Sequence, residues 1–197
     1  MTYKVIAYTY RATWVNKSNY KYVMKYYKYI DLDYKIFAEK MKSYIFSNGE
    51  MFKTFWTQLD SDLILSNIPE TSSMFKPYNI NVMNISITRS FNTNSLLGLH
   101  RDYSEAELRI NIPILNCEKS VTNFYYSTVD PTLEILANGI PYLDYNYKNC
   151  TLVDSFCLDR PAILRVKEIH QVVANANYLP RISCTIDFKE NIFHLFE

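Results

Sequence analysis

The sequence lacks the features of membrane proteins, secreted proteins and strongly basic nucleic-acid-binding proteins. No apolar run approaches the ~20 residues that a membrane-spanning helix requires, and the N-terminus has no apolar core of a signal peptide. The 4 cysteines form no Cys-x-x-Cys pair, so free thiols in a reducing compartment are expected. The formal net charge of +1 argues against a surface that neutralises nucleic-acid phosphates. We therefore expect a soluble, cytoplasmic protein whose partners are neither membranes nor nucleic acids.

Glycine is scarce, with 3 residues against 18 tyrosines. This bias is typical of an AT-rich genome such as that of a virus, a phage or an AT-rich microbe, and a viral protein would act in the cytoplasm of its host. A chain of 197 residues, 48% hydrophobic and 21% charged, can bury roughly 70% of its unfolded surface. We therefore expect residues 1–197 to form a single domain.

Residues 1–80 predict a mainly helical layer after an N-terminal strand over Thr2–Thr13. A helix is predicted over Asn19–Tyr29, where lysines recur at helical spacing. These lysines are interpreted as a solvated face, and the alternative is a basic, tyrosine-interleaved platform for single-stranded nucleic acid that includes Lys21 and Lys25.

Two further helices are predicted in this layer. The first is capped by Asp31 or Asp33 and stops at Gly49. The second starts at Pro69 and ends near Lys76, because the following proline disfavours a helical conformation there.

Residues 81–190 show the alternation and turn residues of a β-rich region. The clearest strands are residues 84–90, Leu108–Leu115, Val121–Ser127, Ala162–Val166 and Arg181–Phe188. Short, numerous strands after helices predict a mainly β fold, an antiparallel sandwich or barrel backed by N-terminal helices. Residues 130–160 are the least patterned and are predicted to be a long insert between strands.

One pair of residues has the spacing of metal ligands. His100 and Asp102 are two apart, so in an extended chain their side chains leave the same face. With His170 they make two histidines and one carboxylate, the set that holds non-haem Fe(II) and leaves coordination positions open. The remaining histidine, His194, is expected to have an incidental packing role in the C-terminal tail.

Two predicted strands add polar groups. Arg181 and Ser183 share one face of the last strand with Thr185 and Asp187, and a guanidinium beside a hydroxyl is a good receiver for a carboxylate. Alternation also puts Arg109 and Asn111 on one face of their strand. That pair could point into a cavity or lie on the solvent-exposed face of a sheet. Tyr125 is a further candidate for donating a hydrogen bond to a carboxylate.

The order His-x-Asp, distant His, Arg-x-Ser resembles the Fe(II)/2-oxoglutarate-dependent dioxygenases, whose fold is a double-stranded β-helix with a jelly-roll, cupin-like core. The resemblance covers roughly Ile85–Phe188. It implies that His100, Asp102 and His170 are the catalytic iron ligands. It also implies that Arg181 binds the distal carboxylate of 2-oxoglutarate with help from Ser183.

The strand containing Arg109 is similar to one in aspartyl/asparaginyl β-hydroxylase-like members, which carry Arg-x-His on the cosubstrate side. Here Asn111 replaces that histidine. The implied reaction is hydroxylation of an amino-acid side chain in a peptide or protein, or of a small metabolite, with O2 as oxidant and ascorbate as a reductant. Decarboxylation of 2-oxoglutarate to succinate accompanies it. The alternatives are a non-catalytic jelly-roll binding or viral structural module and a nucleic-acid-modifying dioxygenase.

Overall fold

The computed structural model describes residues 25–49, 54–90, 98–136, 139 and 141–196. Within these ranges the chain forms twelve strands and four α-helices. The strands are β1 (Tyr27–Tyr29), β2 (Trp56–Gln58), β3 (Val82–Ser90), β4 (Leu99–Asp102), β5 (Leu108–Leu115), β6 (Ser120–Ser127), β7 (Thr132–Ile135), β8 (Pro141–Tyr145), β9 (Cys150–Phe156), β10 (Ala162–Arg165), β11 (Ile169–Ala174) and β12 (Arg181–Phe188). The helices are α1 (Lys35–Ser47), α2 (Ser61–Asn67), α3 (Glu70–Ser73) and α4 (Phe193–Phe196). None of them is both long enough and apolar enough to cross a membrane.

The strands form two six-stranded sheets in which the neighbouring strands pair antiparallel. Sheet I has the order β1-β10-β5-β12-β3-β2, and sheet II has the order β7-β8-β4-β11-β6-β9. Consecutive strands of the chain fall repeatedly in opposite sheets, as expected for a jelly roll. This architecture confirms the predicted mainly β fold with a jelly-roll core and a helical backing.

The main hydrophobic core lies between sheet I and the helices. Alternation along β5 buries every second residue, from Leu108 to Ile114, while Arg109 and the other intervening residues face the opposite way. Phe37 and Met41 of α1 are fully buried in the same cluster. Burying one such side chain stabilises the fold by ~1.5–3 kcal/mol. The opposite face of sheet I therefore remains free to line the space between the sheets.

A second core, in which aromatic rings pack with smaller apolar side chains, fills part of the space between the sheets. The rings of Tyr27 and Phe156 stack with centroids 4.2 Å apart. Phe124 is fully buried in this cluster and its ring centroid lies 6.1 Å from that of His170. The cluster therefore closes the inter-sheet space beside His170.

The start of the chain differs from its prediction. Residues Tyr27–Tyr29, placed in the lysine-rich helix, form strand β1, which pairs with β10. Their rings complete the aromatic core, and this tertiary packing overrides the local helical spacing. The predicted strand at Thr2–Thr13 and the platform residue Lys21 lie outside the described residues, whereas Lys25 is exposed.

The helix predictions need smaller corrections. Neither predicted aspartate caps α1, whose N-cap is Tyr34 and has no side-chain capping bond. The side chain of Asp60 instead caps α2 by accepting a hydrogen bond from the backbone N–H of Leu63. Past Pro69, α3 is only four residues long, and Lys76 lies in a separate 3-10 turn.

The predicted insert at 130–160 contains three strands, β7, β8 and β9. They form the two edges of sheet II, where β8 pairs with β4 and β9 pairs with β6. Their burial patterns show little alternation, so a local pattern could not reveal them. β7 and β8 pair with each other as neighbours in the sequence, whereas β4 and β6, the partners that join β8 and β9 to the sheet, lie far away along the chain.

Candidate active site

Strand β4 carries the His-x-Asp pair in the middle of sheet II, between β8 and β11. Because side chains alternate along a strand, His100 and Asp102 face the space between the sheets. Arg101 faces the other way, and its guanidinium carbon lies 5.4 Å from the centre of the Tyr145 ring. Only 5% of His100 is exposed. Strand geometry alone therefore directs two potential ligands to one point.

His170 meets this pair from the adjacent strand. In the described part of the chain, β11 pairs with β4 at one position, His170 opposite His100. The two imidazole centroids are 4.3 Å apart. Oδ1 of Asp102 lies 3.6 Å from Nε2 of His100 and 3.9 Å from Nε2 of His170. All three ligand atoms lie within 4.8 Å of one another, so this group fits a single metal ion.

Hydrogen bonds to backbone carbonyls fix the tautomer of both histidines. Nδ1 of His100 lies 3.1 Å from the carbonyl oxygen of Gly98, and Nδ1 of His170 lies 2.9 Å from that of Glu168. A carbonyl oxygen can only accept, so each Nδ1 must donate its proton. In a neutral ring Nε2 then carries the lone pair, which is the arrangement that supports metal-binding histidines.

Burial keeps His100 neutral. Burial, and then the adjacent His170, lower the pKa of His100 from 6.5 to about 4, although Asp102 opposes the shift. At neutral pH the ring therefore has no Nε2 proton to lose before it binds a cation.

The second oxygen of Asp102 is bound to an arginine. Nη1 of Arg109 donates to Oδ2 of Asp102 at 2.5 Å, and Nε of the same guanidinium donates to Oδ1 of Asp187 at 2.7 Å. Arg109 faces the cavity, but its guanidinium bridges two carboxylates rather than remaining free for a ligand. Asp187 was grouped with Arg181 by strand alternation, yet its pairing with Arg109 was not foreseen.

Arg181 is among the largest fully buried side chains and is only 2% exposed. Its Nε donates to Oγ of Ser120 at 2.9 Å, and its Nη1 donates to Oγ of Ser183 at 3.1 Å. In the part of the chain that the structure describes, no carboxylate pairs with it. A buried charge without a counterion is costly, so this corner of the cavity favours an anionic ligand. Ser120 lies one residue before the predicted start of its strand and was missed.

These groups line a cavity of about 160 Å³ between the two sheets. Its apolar wall includes Leu164, Val166 and Val172. Asn111 also lines it, and the buried Oδ1 of this amide has no hydrogen-bond partner in the structure. A buried acceptor without a partner is uncommon, so Asn111 offers a further polar contact for a bound molecule.

Aromatic and apolar side chains surround the remainder of the cavity. Tyr142 packs edge-on against His100 with ring centroids 6.4 Å apart. Burial, and then the neighbouring carboxylates of Asp144 and Glu134, raise the pKa of Tyr142, so its hydroxyl stays protonated at neutral pH. The other aromatic and apolar lining residues of this part are Phe55, Trp56, Tyr103, Leu136 and Pro141.

Two residues considered in the sequence lie elsewhere. Tyr125 faces the outer side of sheet II, where its ring meets that of Tyr147 edge-on at 6.3 Å. Its neighbour Phe124 occupies the inner face, so Tyr125 is not in position to donate to a ligand in the cavity. His194 is exposed on α4, away from the cavity.

No protein-family model matches the chain, and a search of curated proteins finds no significant match. Solved structures do resemble it. The epimerase SnoN in complex with Fe3+, alpha ketoglutarate and nogalamycin RO aligns with a TM-score of 0.52 at 14% identity, over 84% of this chain and 79% of that one. AviO1 from Streptomyces viridochromogenes Tue57 aligns with a TM-score of 0.44 at 10% identity, over 85% of this chain and 90% of that one. The likeness to SnoN extends across most of both chains and establishes a shared cupin-like jelly-roll fold.

Proposed function

We propose that the protein is an Fe(II)- and 2-oxoglutarate-dependent oxygenase. The observation that carries this proposal is that the described cavity combines two kinds of site. His100, Asp102 and His170 converge on one point, and Arg181 is buried in the same cavity without a carboxylate partner. The first set binds a divalent cation and the second attracts an anion.

The donor set fits iron. Two neutral imidazoles and one carboxylate are the ligands of the non-haem Fe(II) centres that react with oxygen, and they leave coordination positions open. Nε2 of His100, Nε2 of His170 and Oδ1 of Asp102 would hold the ion. When bound, iron would supply the activation of O2 and the oxidation of a C–H bond. SnoN, which shares the fold, was crystallised with Fe3+ and alpha ketoglutarate.

Arg181 would bind the distal carboxylate of 2-oxoglutarate. A guanidinium can hold a carboxylate through two parallel hydrogen bonds. Ser120 and Ser183 each accept one bond from Arg181 and so orient the fork. Thr185 and Asn111 line the same cavity and could contact the remaining oxygens of the keto acid. The surrounding apolar wall excludes water and strengthens this ion pair.

The substrate would enter past the aromatic side chains around Tyr142. A cavity of about 160 Å³ is smaller than typical ligand pockets of ~300–1,000 Å³. Once the keto acid is bound, only a small group of the substrate can reach the metal-binding residues. This favours hydroxylation of an amino-acid side chain in a peptide or protein, or of a projecting group of a small metabolite.

The test combines binding with product analysis. Purified protein should bind Mn(II), as an oxygen-stable substitute for Fe(II), in calorimetry, and 2-oxoglutarate should bind to the metal-loaded form. With Fe(II), ascorbate and O2, the protein should convert 2-oxoglutarate to succinate. Failure to bind Mn(II), or failure of the metal-loaded form to bind 2-oxoglutarate, would overturn the proposal and favour a non-catalytic module.

Mass spectrometry of a converted substrate distinguishes reaction types. Hydroxylation adds one oxygen atom, whereas epimerisation, the activity of SnoN, leaves the mass unchanged. A product of unchanged mass would retain the iron and 2-oxoglutarate assignment but reject hydroxylation.

A further inference from the structure

We infer that Arg109 is a positioning residue that restricts Asp102 to binding the metal through a single oxygen atom. The inference rests on the proposed function, in which Asp102 is a metal ligand. It concerns the side chains around that ligand and assigns Arg109 a role different from binding the cosubstrate.

The two oxygens of Asp102 have different partners. Oδ1 is the atom near both histidines, at 3.6 and 3.9 Å from their Nε2 atoms. Oδ2 accepts a hydrogen bond from Nη1 of Arg109 at 2.5 Å. A hydrogen bond between a guanidinium and a carboxylate is roughly twice as strong as one between neutral groups. Rotating the carboxylate so that both oxygens met the metal would break it.

Arg109 is itself held in place. Its Nε donates to Oδ1 of Asp187 at 2.7 Å. The antiparallel register pairs Ile186 of β12 with Ile110 of β5, so the two side chains project from adjacent strands of sheet I. Asp102 belongs to sheet II. Two ion pairs that share Arg109 therefore connect Asp102 of sheet II to Asp187 of sheet I through three half-buried side chains.

A carboxylate bound through one oxygen has a chemical consequence. With two histidines it occupies one face of an octahedron and leaves the opposite face open. A carboxylate bound through both oxygens would fill one of those open positions, which a chelating keto acid and O2 both need.

This arrangement also separates the two arginines of the cavity by role. Arg109 donates to two carboxylates already, whereas Arg181 donates to two serine hydroxyls and has no anionic partner in the described structure. A lysine at position 109 would preserve a positive charge but could not contact both carboxylates with a planar fork.

The experiment compares Mn(II) binding by wild-type protein, Arg109→Gln, Arg109→Lys and Asp187→Asn. Arg101→Gln is the matched control, because Arg101 lies between the two ligands of β4 but faces the outer side of sheet II. Calorimetry measures affinity. The relaxation rate of water protons measures how many exchangeable waters the bound Mn(II) retains.

We expect Arg109→Gln to weaken Mn(II) binding ~10–100-fold, as loss of outer partners of metal ligands usually does. Its Mn(II) should also retain one water fewer, because the released Oδ2 would occupy a coordination position. Mn(II) bound to Arg109→Lys should also retain one water fewer than in wild type, but the loss of Mn(II) affinity should be smaller than in Arg109→Gln. Asp187→Asn, which keeps the guanidinium but removes one of its anchors, should shift both readouts in the same direction and more weakly.

The outcomes separate the two proposals. If wild-type protein fails to bind Mn(II), the proposed function fails. If wild-type protein binds Mn(II) and both Arg109 variants match the Arg101→Gln control in affinity and water count, the positioning role is rejected. Should Arg109→Gln not fold, as judged by circular dichroism, Arg109→Lys and Asp187→Asn decide the question by the same two readouts.

Discussion

Two corners of one cavity contain arginines in opposite electrostatic situations. The Arg109 corner is neutralised internally, because Asp102 and Asp187 both accept from the guanidinium. The Arg181 corner has only hydroxyl partners among the described residues, although it is the more deeply buried of the two. The difference teaches that a buried arginine's chemistry depends on its partners: with carboxylates it organises the protein, and without them it can receive a ligand.

The largest effect is expected on Mn(II) affinity, when the carboxylate that joins the Arg109 corner to the metal ligands is removed. Asp102→Ala deletes the proposed oxygen ligand and leaves Arg109 with Asp187 alone. We expect Mn(II) binding to fall below detection in calorimetry, with the fold retained by circular dichroism. His194→Ala, an exposed change away from the cavity, is the control and should bind like wild type. Unchanged Mn(II) affinity in Asp102→Ala would remove it from the ligand set.

The next largest effect is on the free energy of unfolding of ligand-free protein when the arginine of either corner is replaced by methionine. Arg109→Met leaves two half-buried carboxylates without their cation and should destabilise the fold by ~3 kcal/mol or more, since breaking a buried pair is strongly unfavourable. Arg181→Met removes a buried charge that has no counterion, and an apolar replacement there should be neutral or stabilising. Urea unfolding measures both. Equal destabilisation by the two changes would show that the corners do not differ in this way.

The same Arg181→Met variant should lose affinity for 2-oxoglutarate by about 2–5 kcal/mol, the usual cost of truncating one partner of a buried charge pair. In wild-type, metal-loaded protein, 2-oxoglutarate at 100 times its Kd should add about 2.7 kcal/mol of stability. At the same concentration, 2-oxoglutarate should add less than about 1 kcal/mol of stability to the variant. Thermal melts with and without the keto acid provide the measurement, and succinate serves as a control that lacks the keto oxygen. If 2-oxoglutarate raised the melting temperature of the variant as much as that of wild type, its carboxylate would have to bind at another group than Arg181.

His100 differs from both arginines. Burial makes its ring neutral, whereas the two arginines keep their charge and depend on their partners. Its folded pKa of about 4 lies below the unfolded value of 6.5. The unfolded chain therefore takes up a proton first as pH falls, and stability present above pH 6.5 should decline towards pH 4 by about 3 kcal/mol at most. Urea midpoints of metal-free protein at pH 7 and pH 5 measure this. His100→Asn should show a shallower decline, and an identical decline in both proteins would exclude His100 as its source.

The strands that could be predicted are those with one apolar and one polar face. The observed bounds of β5 and β12 match their predictions because Leu108–Leu115 and Arg181–Phe188 alternate throughout. In contrast, β7, β8 and β9 are edge or near-edge strands, and β8 and β9 join the sheet through β4 and β6, which lie far away in the chain. Their existence follows from hydrogen bonding across sheet II, which no local periodicity reports.

The candidate site divides in a similar way. The positions of His100, Asp102, His170 and Arg181 followed from strand alternation and from the resemblance to a known motif. The contact between Asp102 and Arg109 joins two different sheets, so it needed the three-dimensional structure. Tyr125 was misplaced because neighbouring residues of a strand face opposite sides, and it is Phe124 that faces inward. Sequence thus indicates which groups are available, whereas sheet packing decides which of them meet.

The single-position contact between β4 and β11 has a mechanical consequence. Sheet II has β7, β8 and β4 on one side of that contact and β11, β6 and β9 on the other. Among the described residues, β11 pairs with β6 at six positions and with β4 at one. The proposed metal would bind His100 and His170, the two residues that form this contact. An ion held there would link β4 to β11 through two side chains, so metal binding should also stabilise sheet II against unfolding.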